Sequence, residues 1–199
     1  MFELKFDLSD FEKQARALEA AQDQVPFALS LALNDAAFNA RTVLIQKTWP
    51  EHVTVRNKSF MNAALRVVKS DKHNLRVEIF DRLGRANLKA HADGGTIRPV
   101  KAQTLAVPPP GLFKRGPRGI PPNKRPRAII ANTPKRALRI TARGIYVGKG
   151  GRLQLMYAFK PSVNQPADVP FREDFRTAML EGVRTAFPAA MARAMRTRR

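Results

Sequence analysis

Val25 to Lys47 reads VPFALSLALNDAAFNARTVLIQK, and its period sets the first layer of the fold. Leu29, Leu33, Ala36, Ala40, Val43 and Leu44 recur every three or four residues, with Phe27, Leu31, Asn34 and Phe38 on adjoining rows. That spacing predicts one long helix ending near Lys47. Pro26 suits the first helical turn, where no backbone N–H is needed, and Trp49-Pro50 is expected to end the helix. The alanines leave room for a second element to come close, either a sheet crossed by the helix or a neighbouring subunit.

On the N-terminal side, Phe2, Leu4, Phe6 and Leu8 alternate with Glu3, Lys5 and Asp7, the period of a half-buried strand. Ser9 with Glu12 is a capping-box signature, and Phe11, Ala15 and Leu18 follow at helical spacing. Residues 10–47 are therefore read as a helix pair, or one helix bent near Pro26. On the C-terminal side, Ser59 to Ala64 suits a short helix. Leu65–Lys69 and Leu75–Phe80 are β-rich runs around a turn, the reading of a hairpin. Leu88 to Ala92 reads as helix, and Thr96–Arg98 and Thr104–Val107 as strand pieces. Ile145–Gly148 and Leu153–Phe159 form a second hairpin around a glycine-rich turn. Phe171 to Phe187 closes the chain as an amphipathic helix with Phe171, Phe175, Ala178, Met179 and Val183 inward. Glu173 and Asp174 sit in its first turn, where the helix dipole favours them. Pro188 is expected to kink or restart it, before Arg193, Arg196, Arg198 and Arg199. The sum is an α+β domain, read as one unit over residues 1–199.

The chain of 199 residues carries 36 Lys and Arg against 16 Asp and Glu, a formal charge of +20. That excess is not spread evenly. From Gly94 to Ala167, 74 residues contain fifteen Lys and Arg and no carboxylate. Within it, Gly111 to Arg127 reads GLFKRGPRGIPPNKRPR, and Pro108 to Pro134 holds eight prolines, so regular structure is not expected there. Residues 108–136 are read as a basic proline-rich arm inserted in the sheet, and the bland reading of its charge is a solvated, flexible loop with no fixed role. The sharper one is a surface answered by a polyanion or an acidic protein, because so uniform a charge repels itself. Lys114, Arg115, Arg118, Lys124, Arg125, Arg127, Lys135 and Arg136 are the candidate contacts to DNA or an acidic partner. Phe113 is the one aromatic among them, so contact is expected to run along a phosphate backbone, blind to sequence, rather than through stacked bases.

Catalytic and metal chemistry find little support. There is no cysteine, which excludes disulfides and cysteine-rich zinc sites. His52, His73 and His91 suit turns and packing; none has a second His or a carboxylate at metal-ligand spacing on a recognisable scaffold, apart from His91-Ala-Asp93. No nucleophile elbow or phosphate-binding loop is present, and Gly148–Gly151 reads as a hairpin turn. Scattered carboxylates do not suit two-metal or glycosidase chemistry. The reading is no enzyme, no cofactor and no metal. No apolar run reaches the roughly 18–20 residues of a membrane span, and no signal peptide is read.

Several of these pieces together resemble a known family. The helix VPFALSLALNDAAFNARTVLIQK leads through VTVRNKSFMNAALRVV into a hairpin. HADGGTIRPVKAQTLAVP then opens from a Gly-Gly turn into a basic strand, and the chain closes with a helix and an Arg-rich tail. In order and character this is similar to the lambda-type minor tail protein Z family, the tail completion proteins of long-tailed phages. The resemblance implies a structural virion protein with its long helix packed on a curved antiparallel sheet. It would form a ring, six subunits being expected, between tail terminator and head connector, with DNA close by. It also implies localisation to the tail neck, after assembly in the host cytoplasm. The family has no catalytic residues to carry over, and the arm has no counterpart in it. The alternative is a free nucleic-acid-binding protein, ribosome- or nucleoid-associated.

Overall fold

The computed structural model describes residues 2–8, 24–84 and 88–197. The helix expected behind Ser9 and the last two arginines lie outside these residues. The chain begins with β1 (Glu3–Asp7), then α1 (Val25–Val43), a π-helical turn (Leu44–Thr48) and α2 (Trp49–His52). Next come α3 (Phe60–Ala64), β2 (Leu65–Val68), β3 (Arg76–Asp81) and α4 (Leu88–Asp93). A β-rich stretch follows: β4 (Gly95–Ile97), β5 (Leu105–Val107), a 3-10 turn (Pro122–Lys124), α5 (Pro126–Asn132), β6 (Leu138–Thr141), β7 (Gly144–Lys149), β8 (Arg152–Lys160) and β9 (Val163–Gln165). The last helix is α6 (Phe171–Arg196). The α+β class, the long N-terminal helix, both hairpins and the closing helix are as the periodicities require.

The chain divides into two compact units, Met1–Asp93 with Ala167–Arg199, and Gly94–Pro166. This is a finer division than one domain with an inserted arm, and it falls at the borders of the acid-free span.

In the first unit, β1 and β2 flank β3 in an antiparallel sheet of order β1-β3-β2. Leu4 lies opposite Ile79 and Phe6 opposite Val77, so the period-2 residues share one face. The helices α1 and α6 pack together with that face, and Leu29, Leu33, Leu65, Val77, Ile79, Phe171 and Met179 are buried in the common core. The helices are antiparallel and close. Ala28 and Ala32 meet Ala190 and Ala194, and Gly182 lies on Ala36. A Cβ at Gly182 would stand 2.9 Å from the Ala36 Cβ and 3.0 Å from its Cα. The alanines anticipated as a close-approach stripe therefore receive the C-terminal helix of the same chain.

One proline reading changes. Trp49-Pro50 does not end the helix, because the wider π turn over Leu44–Thr48 precedes it and α2 continues to His52. A π turn shifts the bonding by one residue, which makes room for a ring that would otherwise press on the carbonyl four residues back. Thr48, fully buried in that turn, donates its hydroxyl to Asp174 Oδ2 at 2.6 Å and so joins the turn to the start of α6. Pro188 lies inside α6, which runs on to Arg196 with Ala190 and Ala194 buried against α1. At the end of α6, the Thr197 amide and hydroxyl donate to the carbonyls of Arg193 and Ala194.

The first unit also holds the two chain segments that lead to and from the second. Asp93, at the end of α4, takes two hydrogen bonds from Arg172, at 2.9 and 3.2 Å. His91 Nδ1 lies 2.6 Å from Asp168 Oδ1, and the His91 carbonyl accepts from the amides of Asp168 and Val169. Beyond this clamp, β4 and β9 pair antiparallel, Gly95 opposite Gln165, as the two-stranded root of the second unit.

Candidate nucleic-acid interface

The second unit spans Gly94–Pro166 and contains fifteen Lys and Arg without one Asp or Glu. None of its cations can find a carboxylate inside the unit, so the unit cannot neutralise its own charge.

Its main sheet has the order β5-β8-β7-β6, which puts β5 and β6 at opposite edges. The chain from Val107 to Leu138 must therefore cross the sheet to begin β6, and this connection is the proline-rich stretch. Topology thus lays it on one sheet face, where Phe113, Ile120 and Ile129 pack with Ile145, Tyr157, Val147 and Phe159. A β-bulge beside Ile145 gives β8 one extra residue, Met156, and Met156 joins Tyr157 in this small core. Tyr157 is the central pin. Its ring is 5.6 Å from that of Phe113, and its hydroxyl donates to the Lys124 carbonyl at 2.9 Å. Burial pushes the Tyr157 phenol above its ordinary pKa, while Arg115 and Arg125 pull it the other way.

The expected lack of regular structure in residues 108–136 gives way to a 3-10 turn and the helix α5. Prolines sit at the start of both, where their fixed φ helps and their missing N–H is not needed. Ile129, on α5, is buried and ties that helix to the sheet.

All eight cations singled out from the sequence have exposed side chains. Lys114, Arg115 and Arg118 belong to a tight loop closed by two Gly116–Gly119 backbone bonds of 2.9 Å. Lys124 and Arg125 lie at the 3-10 turn and the start of α5, and Arg127 is inside α5. Lys135 and Arg136 occupy the turn before β6, where the Ala137 and Leu138 amides bond the Pro134 carbonyl. Arg115 and Arg125, ten residues apart, both act electrostatically on Tyr157. The sequence reading stopped at Arg136, but Arg139, Arg143, Arg152 and Lys160 are exposed as well. The signal for them was the acid-free span itself, which runs well past the prolines. Phe113 is turned inward and offers no platform for a base.

The histidines serve structure. His52 Nδ1 donates to the Thr48 carbonyl at 2.9 Å, and the His73 amide closes the hairpin turn on Asp71 at 2.7 Å. His91 lies edge-on to Trp49, with ring centres 5.4 Å apart, and its carboxylate neighbour is Asp168 rather than Asp93. Among the described residues no group of three or more His, Asp or Glu is placed to hold a metal ion, and no helix is long and apolar enough to cross a membrane.

Compared with protein families, characterised proteins and solved structures, the chain finds no match in any of the three.

Proposed function

We propose that this is a structural assembly protein whose Gly94–Pro166 unit grips the sugar-phosphate backbone of duplex DNA. The observation that carries this is a folded unit with fifteen cations and no carboxylate, its eight arm cations all exposed on a segment pinned to a sheet. A flexible tail would lose that charge density to chain entropy on binding, whereas a pinned segment presents it already ordered. The setting we propose is the one its sequence resembles, completion of a phage tail at its head-proximal end. There the first unit would form a ring, six subunits in our reading, between tail terminator and head connector. The site is then the virion neck, reached from the host cytoplasm. A ring would bring every basic unit around one axis and multiply the cation density offered to one duplex. The role is structural rather than catalytic.

The test is retention of duplex DNA by the purified chain across a salt series, with and without the eight arm cations changed to Gln. About six to ten phosphate contacts would weaken binding by roughly three to five orders of magnitude between 50 and 200 mM salt, and neutralising the arm would flatten that slope. Equal and negligible retention by both proteins would remove DNA as the partner. Sedimentation decides the assembly: monomers at assembly concentration that bind tightly would favour a free nucleic-acid-binding protein over a ring former.

A further inference from the structure

The loop Gly116-Pro117-Arg118-Gly119 has a shape that the other cations of the unit do not share. Its two glycines exchange backbone hydrogen bonds of 2.9 Å in both directions, so a single dipeptide, Pro117-Arg118, forms the tip. Pro117 fixes its own φ and carries no N–H, and Gly119 holds φ +82°, a conformation that favours glycine. No heavy atom comes within 4 Å of where a Cβ would stand on either glycine, so both shoulders of the loop are bare. Arg118 is exposed at the tip, with Lys114 and Arg115 exposed in the segment leading into it. The minor groove of B-DNA is about 6 Å wide, and narrower in A-tracts, where its negative potential is strongest and draws in arginine.

We propose that Arg118 is a minor-groove probe: the bare glycine shoulders let the tip approach the groove rims, and the guanidinium enters between the strands. The remaining cations of the arm hold the flanking phosphates. This rests on the DNA reading above and adds to it a preference that a uniform backbone grip would lack. The chain binds best where the groove is narrow, in A·T-rich duplex. Arg118 is then the specificity-determining residue, while Lys124, Arg125, Lys135 and Arg136 supply affinity without discrimination.

The experiment uses the full chain and two duplexes of equal length, one with a central A-tract and one G·C-rich, titrated at fixed salt by fluorescence anisotropy. The A-tract duplex is expected to bind about fivefold tighter or more, the scale of one groove contact. Netropsin, which fills A·T minor grooves, should erase the difference. Arg118→Ala should bring the two affinities together. Arg152→Ala, which removes an exposed cation elsewhere in the unit, should weaken both duplexes alike and keep their ratio. Binding of both duplexes with equal affinity, or a preference that survives Arg118→Ala, overturns the probe and leaves the backbone grip standing. Absence of binding to either duplex overturns both.

Discussion

Removing the Tyr157 hydroxyl should loosen the basic segment without unfolding the chain, and removing the ring should release it. The hydroxyl makes one hydrogen bond, to the Lys124 carbonyl at 2.9 Å. Such a bond contributes about 1 kcal/mol net, so Tyr157→Phe should raise the opening constant of residues 108–136 about fivefold. The ring does more: it is buried with Ile129 and Ile145, the other two buried members of this core, and it pairs with Phe113. Truncating a buried aromatic costs about 3–5 kcal/mol, about as much as a core of this size supplies. Tyr157→Ala should therefore unfold Gly94–Pro166, while α1 and α6, which share no core residue with it, persist. Limited trypsin digestion reads this directly, since the segment offers Lys114, Arg115, Arg118, Lys124 and Arg127 as cleavage sites once it lifts. The expected order of nicking rates is wild type, then Phe, then Ala, with helical circular dichroism largely kept throughout. Proton linkage gives a second reading. Because burial raises the folded phenol pKa, the stabilisation is complete below the ordinary phenol value of about 10 and is lost as pH rises through the higher folded value. Nicking should accelerate in that alkaline window for the wild type and not for Tyr157→Phe. Equal nicking of all three proteins at neutral pH would refute the idea that Tyr157 pins the segment.

Gly182→Ala should lower stability by about 1–3 kcal/mol, because its methyl would press on Ala36 at 2.9 Å. Ala36→Gly in the same chain should recover part of that loss in thermal unfolding, as a steric clash predicts, since Gly182→Ala by itself raises helix propensity. Hydrogen bonds from Arg172 hold the Asp93 carboxyl below its ordinary pKa, against a smaller opposing effect of burial. That stabilisation is present above the ordinary carboxylate value of about 4 and is lost as pH falls through the lower folded value. With Arg172 largely exposed, Arg172→Met should cost under about 1 kcal/mol at neutral pH and nothing once Asp93 is protonated, by denaturant unfolding at several pH values.

Local pattern was enough for most elements. The period-2 run of β1, the hairpins β2–β3 and β7–β8, and the long stripe of α1 each record a contest among neighbouring residues. Locality also explains why Pro50 was misread. Proline usually ends a helix, yet Pro50 follows a π turn whose Thr48 bonds Asp174, and Pro188 precedes alanines that pack on Ala28 and Ala32. In both places the contacts that outweigh the local penalty come from more than a hundred residues away. The short strands β4 and β5 were legible as strand pieces, whereas β6 and β9, of four and three residues, carry too few side chains to show a period and were missed.

Charge was legible by counting alone. The span without carboxylates needs no structure to be seen, and its borders turn out to be those of a folded unit. Composition is a property of the chain and survives any folding. What no count could contain is where the cations end up. Strand order placed β5 and β6 at opposite edges, so the basic stretch had to cross a sheet face, and Tyr157, thirty-three residues from Lys124, became its anchor. Pairings at such separations are set by how strands assemble in space, and adjacent side chains leave no trace of them.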